Sequence, residues 1–263
     1  MAITAKDVQA LRQATGVGML DAKKALEATD GDMEAATKLL RVQGLASAAK
    51  RAERDAGEGA VTAVRDGNVA AIVEMKCETD FVAKSDEFVT LVDEIAARVA
   101  AEGEGAVTQF QGQIETMLTT LKENISIGRV YRLEANDGEI VDTYVHQQSG
   151  RGVVAVAVVL RGGDAEMAHE LCVHIAFAKP QYLTRDDVPQ DEVDAERTTI
   201  EEISRNEGKP EAALPKIIEG RLNGWFKERV LLEQPYVKDD KQSVETFLKG
   251  ATLVAYAQVV VGG

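Results

Sequence analysis

Two stretches of this chain follow the same order of elements, and their similarity constrains the fold more than any other feature of the sequence. Each stretch begins with an apolar run of strand character, continues through a turn and a helix cap, and ends in a helix with an apolar stripe. A shift of 79 residues aligns Ser85 with Asp164 and Val92 with Leu171. The repeat predicts two similar α+β halves, each a small antiparallel sheet with helices on one face.

The rest of the sequence predicts a helical bundle before these halves and a helical insertion in the second one. Residues 1–54 hold three short helical patterns with a glycine-containing first turn, which is typical of a ubiquitin-associated-like three-helix bundle. The alanine-, glycine- and basic-rich residues 43–59 predict a linker that is partly helical around residues 46–54. Strand signals vanish at 190–232, where we expect an antiparallel helical hairpin. The expected domains are therefore the bundle with the start of the linker at 1–54, the first half at 55–138 and the second half, with its hairpin, at 139–263.

Size, charge and cysteine content exclude several classes of protein. The chain has 263 residues with 45% apolar and 28% charged side chains, as globular proteins do. Its longest apolar stretch, 153–160, is too short to cross a bilayer, and its amino-terminal residues do not have the basic start, apolar middle and small-residue cleavage site expected of a secretory leader. The net charge of -14 argues against a broad surface for nucleic acid, and two cysteines fit a reducing compartment. We expect a cytoplasmic protein with a protein partner, and contact with neither nucleic acid nor a membrane.

The turn after the first buried strand carries an acid and an aromatic ring side by side. Asp80 and Phe81 follow the apolar run 69–73 and precede Ser85, the predicted N-cap of the next helix. Since turns lie at the surface, Phe81 either folds back into the core or is available to a partner. The matching turn of the second half, 161–163, is Arg-Gly-Gly and has no such pair.

The sequence contains no cluster of catalytic or metal-binding residues. His169 and His174 are five positions apart on one predicted helix, whereas metal-binding histidines share a face at i and i+4. No phosphate-binding GxxxxGK[ST] loop occurs, and Cys77 and Cys172 have no activating base nearby in sequence. We therefore predict a protein that is not an enzyme, with no catalytic residue, no metal site and no cofactor.

Three groups of residues resemble the signatures of the bacterial elongation factor Ts family. They are Glu74-x-x-x-x-Thr79-Asp80-Phe81-Val82-Ala83-Lys84; Leu11-Arg12-x-x-Thr15-Gly16-x-Gly18-Met19-x-Asp21-x-Lys23-Lys24-Ala25-Leu26; and Gly208-Lys209-Pro210 with Glu219-Gly220-Arg221-Leu222-Asn223 and Leu232-Glu233-Gln234-Pro235-Tyr236-Val237. Together they span nearly the whole chain in the family's order. Lys76 departs from the family, which usually has asparagine there.

This resemblance implies a function and a partner. Members of the family exchange the nucleotide of the GTPase elongation factor Tu, and their Asp-Phe pair enters the GTPase from a protruding tip. Phe81 would wedge between helices near the magnesium site, and Asp80 would help displace the groups that hold the ion. Loss of Mg²⁺ removes the charge that bridges the diphosphate, so GDP would leave faster. The resemblance leaves open a homodimer or a 2:2 complex with the GTPase.

The family's partner contacts carry over to ten positions of this sequence. They are Met19, Leu20, Lys23, Thr79, Asp80, Phe81, Val82, Leu121, His146 and Val237. Lys122, beside Leu121, is bulky and charged where the family often has glycine. The competing interpretation is a non-catalytic adaptor whose bundle recruits ribosomal or ubiquitin-like partners. It would explain the bundle and the acidity, but not the Asp80-Phe81 pair.

Overall fold

The computed structural model describes residues 3–263, apart from the side chains of residues 48 and 49. Helices and small sheets alternate along the chain, and the predicted α+β class is confirmed. The chain divides into two compact units. One holds the residues up to Arg132 together with Val145–Ala155 and Val259–Gly263, and the other holds Leu133–Tyr144 and Val156–Gln258. The domain limits expected from the sequence stay predictions, and residues 1 and 2 of the expected bundle domain lie outside the described residues.

Three helices follow one another at the amino terminus: α1 (Ala5–Thr15), α2 (Met19–Ala28) and α3 (Met33–Arg51). Helix α1 begins at a capping box, in which the Asp7 carboxylate accepts the Thr4 N–H at 2.9 Å and the Thr4 hydroxyl caps Asp7. It ends at Gly16, whose φ of 71° lies in the left-handed region that favours glycine. The three helices share a small apolar core that includes Leu11, Ala22, Leu26 and Ala36.

The first sheet has the strand order β1-β2-β3 and is covered by helices. Its elements along the chain are β1 (Glu58–Asp66), β2 (Val69–Cys77), α4 (Asp80–Ala83), α5 (Asp86–Glu102), a 3₁₀ helix (Glu104–Phe110), α6 (Gln111–Thr120) and β3 (Ser126–Glu134). Strands β1 and β2 pair antiparallel. The predicted N-cap of α5 is confirmed, since the Ser85 hydroxyl accepts the Phe88 N–H at 3.4 Å. Buried side chains of α5, among them Phe88, Val92 and Ile95, form the core with β2.

Helix α3 extends through the first half of the segment expected to be a linker. It packs closely against α6. A Cβ atom added to Gly44 would lie only 2.4 Å from the methyl carbon of Thr119. At the end of α3, Arg51 donates to the Leu118 carbonyl at 2.8 Å. A partly helical linker around residues 46–54 was expected; the structure makes residues 43–51 a continuous part of α3, and contacts with α6 stabilise it.

The remaining elements form a second sheet, a pair of helices and a short hairpin. They are β4 (Glu139–Gln148), β5 (Arg151–Arg161), α7 (Ala165–Ala178), α8 (Gln190–Asn206), α9 (Leu214–Arg229), β6 (Pro235–Tyr236), β7 (Asp239–Ser243), α10 (Val244–Phe247) and β8 (Thr252–Val260). The larger sheet has the order β4-β5-β8, and its central strand β5 is buried over most of its length. Asp164 caps α7 as predicted, accepting the Met167 N–H at 2.8 Å.

Helices α8 and α9 share an apolar core of their own. Ile200 of α8 packs in one cluster with Ile218, Leu222 and Phe226 of α9. Pro215 lies in the first turn of α9, where its missing N–H removes no helical hydrogen bond.

Candidate functional site

The Asp80-Phe81 pair lies on a single helical turn that projects from the end of β2. Thr79 caps this turn, because its hydroxyl accepts the Val82 N–H at 3.4 Å. Phe81 is 84% exposed, which makes it the most exposed large apolar side chain in residues 3–263. The next two residues, Val82 and Ala83, point the other way and are buried in the first core. Residues 79–82 are called the tip below.

Asp80 is held by an ion pair with a lysine just beyond the tip. Its Oδ2 lies 2.5 Å from Nζ of Lys84, one turn further along the chain. The hydrogen bond from Lys84 keeps the pKa of the Asp80 carboxyl below its usual value, and the Arg151 guanidinium adds to this effect. The carboxylate is therefore charged at neutral pH, and a cation or N–H donor of a partner can replace Lys84 or bind beside it, since a carboxylate accepts several hydrogen bonds.

The base of the tip is bonded to the turn between α6 and β3. Glu123 accepts hydrogen bonds from the backbone N–H groups of Glu78 and Thr79 at 3.1 and 3.0 Å. The Glu78 carboxylate in turn accepts the Asn124 N–H at 2.7 Å. Sequence reasoning missed Glu123, because it lies more than 40 residues from the tip and no local pattern connects the two. Lys84 could have been found, since it follows Asp80 at the i+4 spacing of helical ion pairs.

The bundle presents its expected contact residues on one short stretch of α2. Met19 is 52% exposed and Leu20 63% exposed, at the start of the helix. Lys23 is exposed one turn later, with Nζ 3.6 Å from Glu27. Two exposed apolar side chains beside a lysine form a surface that a partner can cover. Asp21 lies between them and forms an ion pair of 2.8 Å with Lys122.

The other expected contact residues differ in how accessible they are. Val82 is only 9% exposed, so its side chain anchors the tip in the core, and the sequence resemblance alone did not reveal this. Leu121 is half-buried against the first core at the end of α6. His146 is exposed on β4. Lys122, in the position where the family often has glycine, has a left-handed φ of 61°.

Val237, the remaining expected contact, is 37% exposed in the second unit and is held there by a buried histidine. The Val237 N–H donates to Nδ1 of His174 at 3.2 Å, and Nε2 of His174 lies 3.0 Å from the Gln234 side-chain oxygen. This arrangement requires the neutral tautomer with its proton on Nε2. Burial lowers the pKa of His174, which favours the same neutral form.

The described part of the chain shows neither a metal-binding cluster nor a membrane-spanning helix, and its two cysteines are buried. In residues 3–263, no three His, Cys, Asp or Glu side chains are grouped so that they could bind a metal ion. None of the helices in that range has the length and apolar character needed to span a membrane. Cys77 and Cys172 are free and buried, and burial raises the pKa of Cys77 to about 12, so its thiol stays protonated.

Comparison with known proteins agrees with the resemblance seen in the motifs. The family model described as elongation factor TS matches residues 78–263. A protein named elongation factor Ts from Clavibacter michiganensis subsp. michiganensis is 46% identical over 273 residues, which cover 98% of each chain. Proteins of the same name from Mycobacterium tuberculosis and Micrococcus luteus are 44% and 42% identical, again over 98% of each chain.

The family match includes the tip, and the relatives extend the similarity through the amino-terminal bundle. On this evidence the chain belongs to the elongation factor Ts family of translation elongation factors.

Proposed function

We propose that this protein is the guanine-nucleotide exchange factor of elongation factor Tu, and that the tip is the part that releases GDP. The observation that carries the proposal is the 84% exposure of Phe81 on a capped helical turn. Burial of a phenylalanine side chain is worth about 1.5–3 kcal/mol, and the fold gives up most of this stabilisation at Phe81. A partner that covers the ring recovers it.

The tip acts by favouring a state of the GTPase that holds nucleotide weakly. Phe81 enters between helices of the GTPase near its magnesium site, and Asp80 competes for the groups that hold the ion. An element that binds the nucleotide-free GTPase more tightly than the GDP-bound form lowers the affinity for GDP by the same factor. Asp80 arrives charged, because Lys84 keeps its carboxyl pKa low.

Affinity comes from the residues outside the tip. Met19, Leu20 and Lys23 form one contact surface on α2, and Leu121, His146 and Val237 supply further contacts. These side chains do not belong to the tip. Truncation of one of them should therefore weaken the complex without stopping GDP release in the complex that still forms. We place this function in the cytoplasm. The protein itself performs no chemistry on the nucleotide and needs neither a cofactor nor a metal of its own.

The repeated architecture is part of the same proposal. Ser85 and Asp164 cap α5 and α7 at the aligned positions, which supports a core of two similar α+β halves. The second half carries α8 and α9 as an inserted helical hairpin. Only the first half carries the acid–aromatic pair, so we expect one releasing tip in each chain.

The direct test is release of a fluorescent GDP analogue from elongation factor Tu. In a stopped-flow experiment with excess unlabelled GDP, the release rate should rise with the concentration of this protein and then level off. Phe177→Ala provides a control, since Phe177 is 75% exposed on α7 and lies outside the tip. If the release rate does not rise at any concentration, the exchange function is refuted. Binding without acceleration would favour the adaptor interpretation.

A further inference from the structure

A single carboxylate receives three hydrogen bonds from the base of the tip. Glu123 lies in the turn between α6 and β3, and its Oε2 accepts the N–H groups of Glu78 and Thr79 at 3.1 and 3.0 Å. Its Oε1 accepts the Thr79 hydroxyl at 2.5 Å. Hydrogen bonds to a charged acceptor are stronger than those between neutral groups, so this arrangement holds the start of the tip firmly.

The same contact determines how Thr79 caps the tip. Because the Thr79 hydroxyl donates its proton to Glu123, its lone pairs are left to accept the Val82 N–H. Glu123 therefore acts on the helical turn through Thr79. It also acts through Glu78, whose carboxylate accepts the Asn124 N–H at 2.7 Å and so ties the two turns together in both directions.

The tip depends on such support because it has little stability of its own. Formation of the first helical turn is unfavourable, because it fixes several residues for a single hydrogen bond. A four-residue helix is too short to add the further hydrogen bonds that offset this cost. Phe81, at 84% exposure, adds almost no packing that would fix its direction, and Val82 is the main apolar anchor. Any backbone freedom that remains in the tip has to be lost when the ring enters a partner.

We infer that Glu123 is a positioning residue for nucleotide release: it holds the Asp80-Phe81 turn in the conformation that enters the GTPase. The inference rests on the proposed exchange function. Glu123 is not one of the ten expected partner contacts, and its bonds reach that surface only at Thr79, so it acts through the tip. In a complex already held by the bundle and Val237, a loosened tip lowers the fraction that is ready to insert, and the saturating release rate falls by the same fraction.

The test compares Glu123→Ala and Glu123→Gln with the wild-type protein in the release assay. For Glu123→Ala we expect a saturating rate lowered at least roughly tenfold, since the variant loses all three hydrogen bonds to this carboxylate and one charge-assisted hydrogen bond alone is worth about that factor. The half-saturating concentration should change by less than about twofold, because the surface residues of α2 are untouched. Glu123→Gln keeps the shape and an acceptor oxygen, and it should restore most of the rate.

Three measurements separate positioning from general destabilisation. Hydrogen exchange should speed up in a peptide covering residues 77–83 of Glu123→Ala, while peptides from α5 keep their protection. In a Phe81→Ala background, Glu123→Ala should lower release by less than about twofold, since the group it positions is gone. Glu102→Ala is the matched control, because that carboxylate also accepts strong bonds, from Arg98 at 2.7 Å and Gln109 at 2.6 Å, without touching the tip.

The outcomes distinguish this inference from the function on which it rests. If wild-type protein accelerates release and Phe81→Ala slows it, but Glu123→Ala releases GDP at the wild-type rate, the positioning role is refuted and the exchange function stands. If wild-type protein fails to accelerate release, both are refuted. If Glu123→Ala melts at a much lower temperature than the wild-type protein, Glu123→Leu takes its place, because leucine fills the same space but offers no acceptor. Release at the wild-type rate by this variant would refute the positioning role, and slower release would support it.

Discussion

Truncation of Phe81 to alanine should leave the protein almost as stable as before and should slow GDP release. With 84% of the residue exposed, 16% is covered. For a side chain of roughly 200 Å², this is about 30 Å² of buried area. At about 25 cal/mol per Å², the loss in the free energy of unfolding is below about 1 kcal/mol. For a chain of this size the melting temperature should fall by no more than about 4 °C.

Phe88→Ala is the matched control for stability. Phe88 is the same residue type, seven positions along the chain, and it is fully buried in the first core at 0% exposure. Its truncation removes the whole ring from packed surroundings and should cost about 3–5 kcal/mol. The two variants therefore separate an exposed ring from a core ring in one thermal-melt or urea experiment.

Release is then measured with saturating Phe81→Ala protein and elongation factor Tu carrying fluorescent GDP. The rate should fall well below the wild-type rate, whereas Phe177→Ala should match the wild-type protein. A large drop in melting temperature, combined with unchanged release by the folded fraction, would place Phe81 in the core and refute the wedge mechanism. Asp80→Ala should slow release to a smaller extent, because the backbone and Phe81 still enter the partner.

Three further predictions concern other parts of the molecule. Leu20→Asp should raise the half-saturating concentration at least severalfold with little change in melting temperature, because this side chain is 63% exposed; unchanged binding would exclude the α2 surface. Replacement of residues 195–225 by a short Gly-Ser turn should leave most of the exchange activity in a folded protein, and near-complete loss would contradict this. The Glu74 carboxylate is 1% exposed and is bonded to Arg129 at 2.8 Å. Arg129→Ala leaves this carboxylate buried without its partner, so it should lower the free energy of unfolding by about 3 kcal/mol in a urea titration. Burial opposes ionisation of Glu74, but the bonds to Arg129 prevail and lower its pKa, so the stability from this pair is present above about pH 4.5 and should be lost as the pH falls further.

The carboxylate of Glu74 shows how a motif residue can have a structural role. It belongs to the signature that connects this chain with its family, and from the sequence alone it has the same standing as Asp80. In the structure it is buried and receives a bidentate pair of bonds from Arg129, while Asp80 is on the surface in an i,i+4 ion pair. The two carboxylates therefore support the site in different ways: Glu74 stabilises the strand, and Asp80 is available to a partner.

Local signals in the sequence determined the elements that surround the tip. The caps at Ser85 and Asp164 and the apolar stripe of α5 were predictable, because a cap acts within three residues and a helix repeats every 3.6. The Asp80-Phe81 pair could be found in the same way, as an acid and a ring on a turn between a strand and a helix. The end of α3 was predicted only in part: helical structure around residues 46–54 was expected, but its continuity with α3 depends on contacts with α6.

Only the tertiary structure decided which of the expected contact residues are exposed and which side chains hold them in place. Phe81 and Val82 are adjacent and both apolar, but Phe81 is exposed and Val82 is buried, because a single helical turn packs only one of its sides against the core. The bonds of Glu123 to the tip and of His174 to Val237 join residues 44 to 63 positions apart. Periodicity and capping act over a few residues and carry no information at that range. Such contacts arise only when packed elements bring distant side chains together. The sequence alone therefore could not identify Glu123 and His174 as the residues that bond to the expected contact positions.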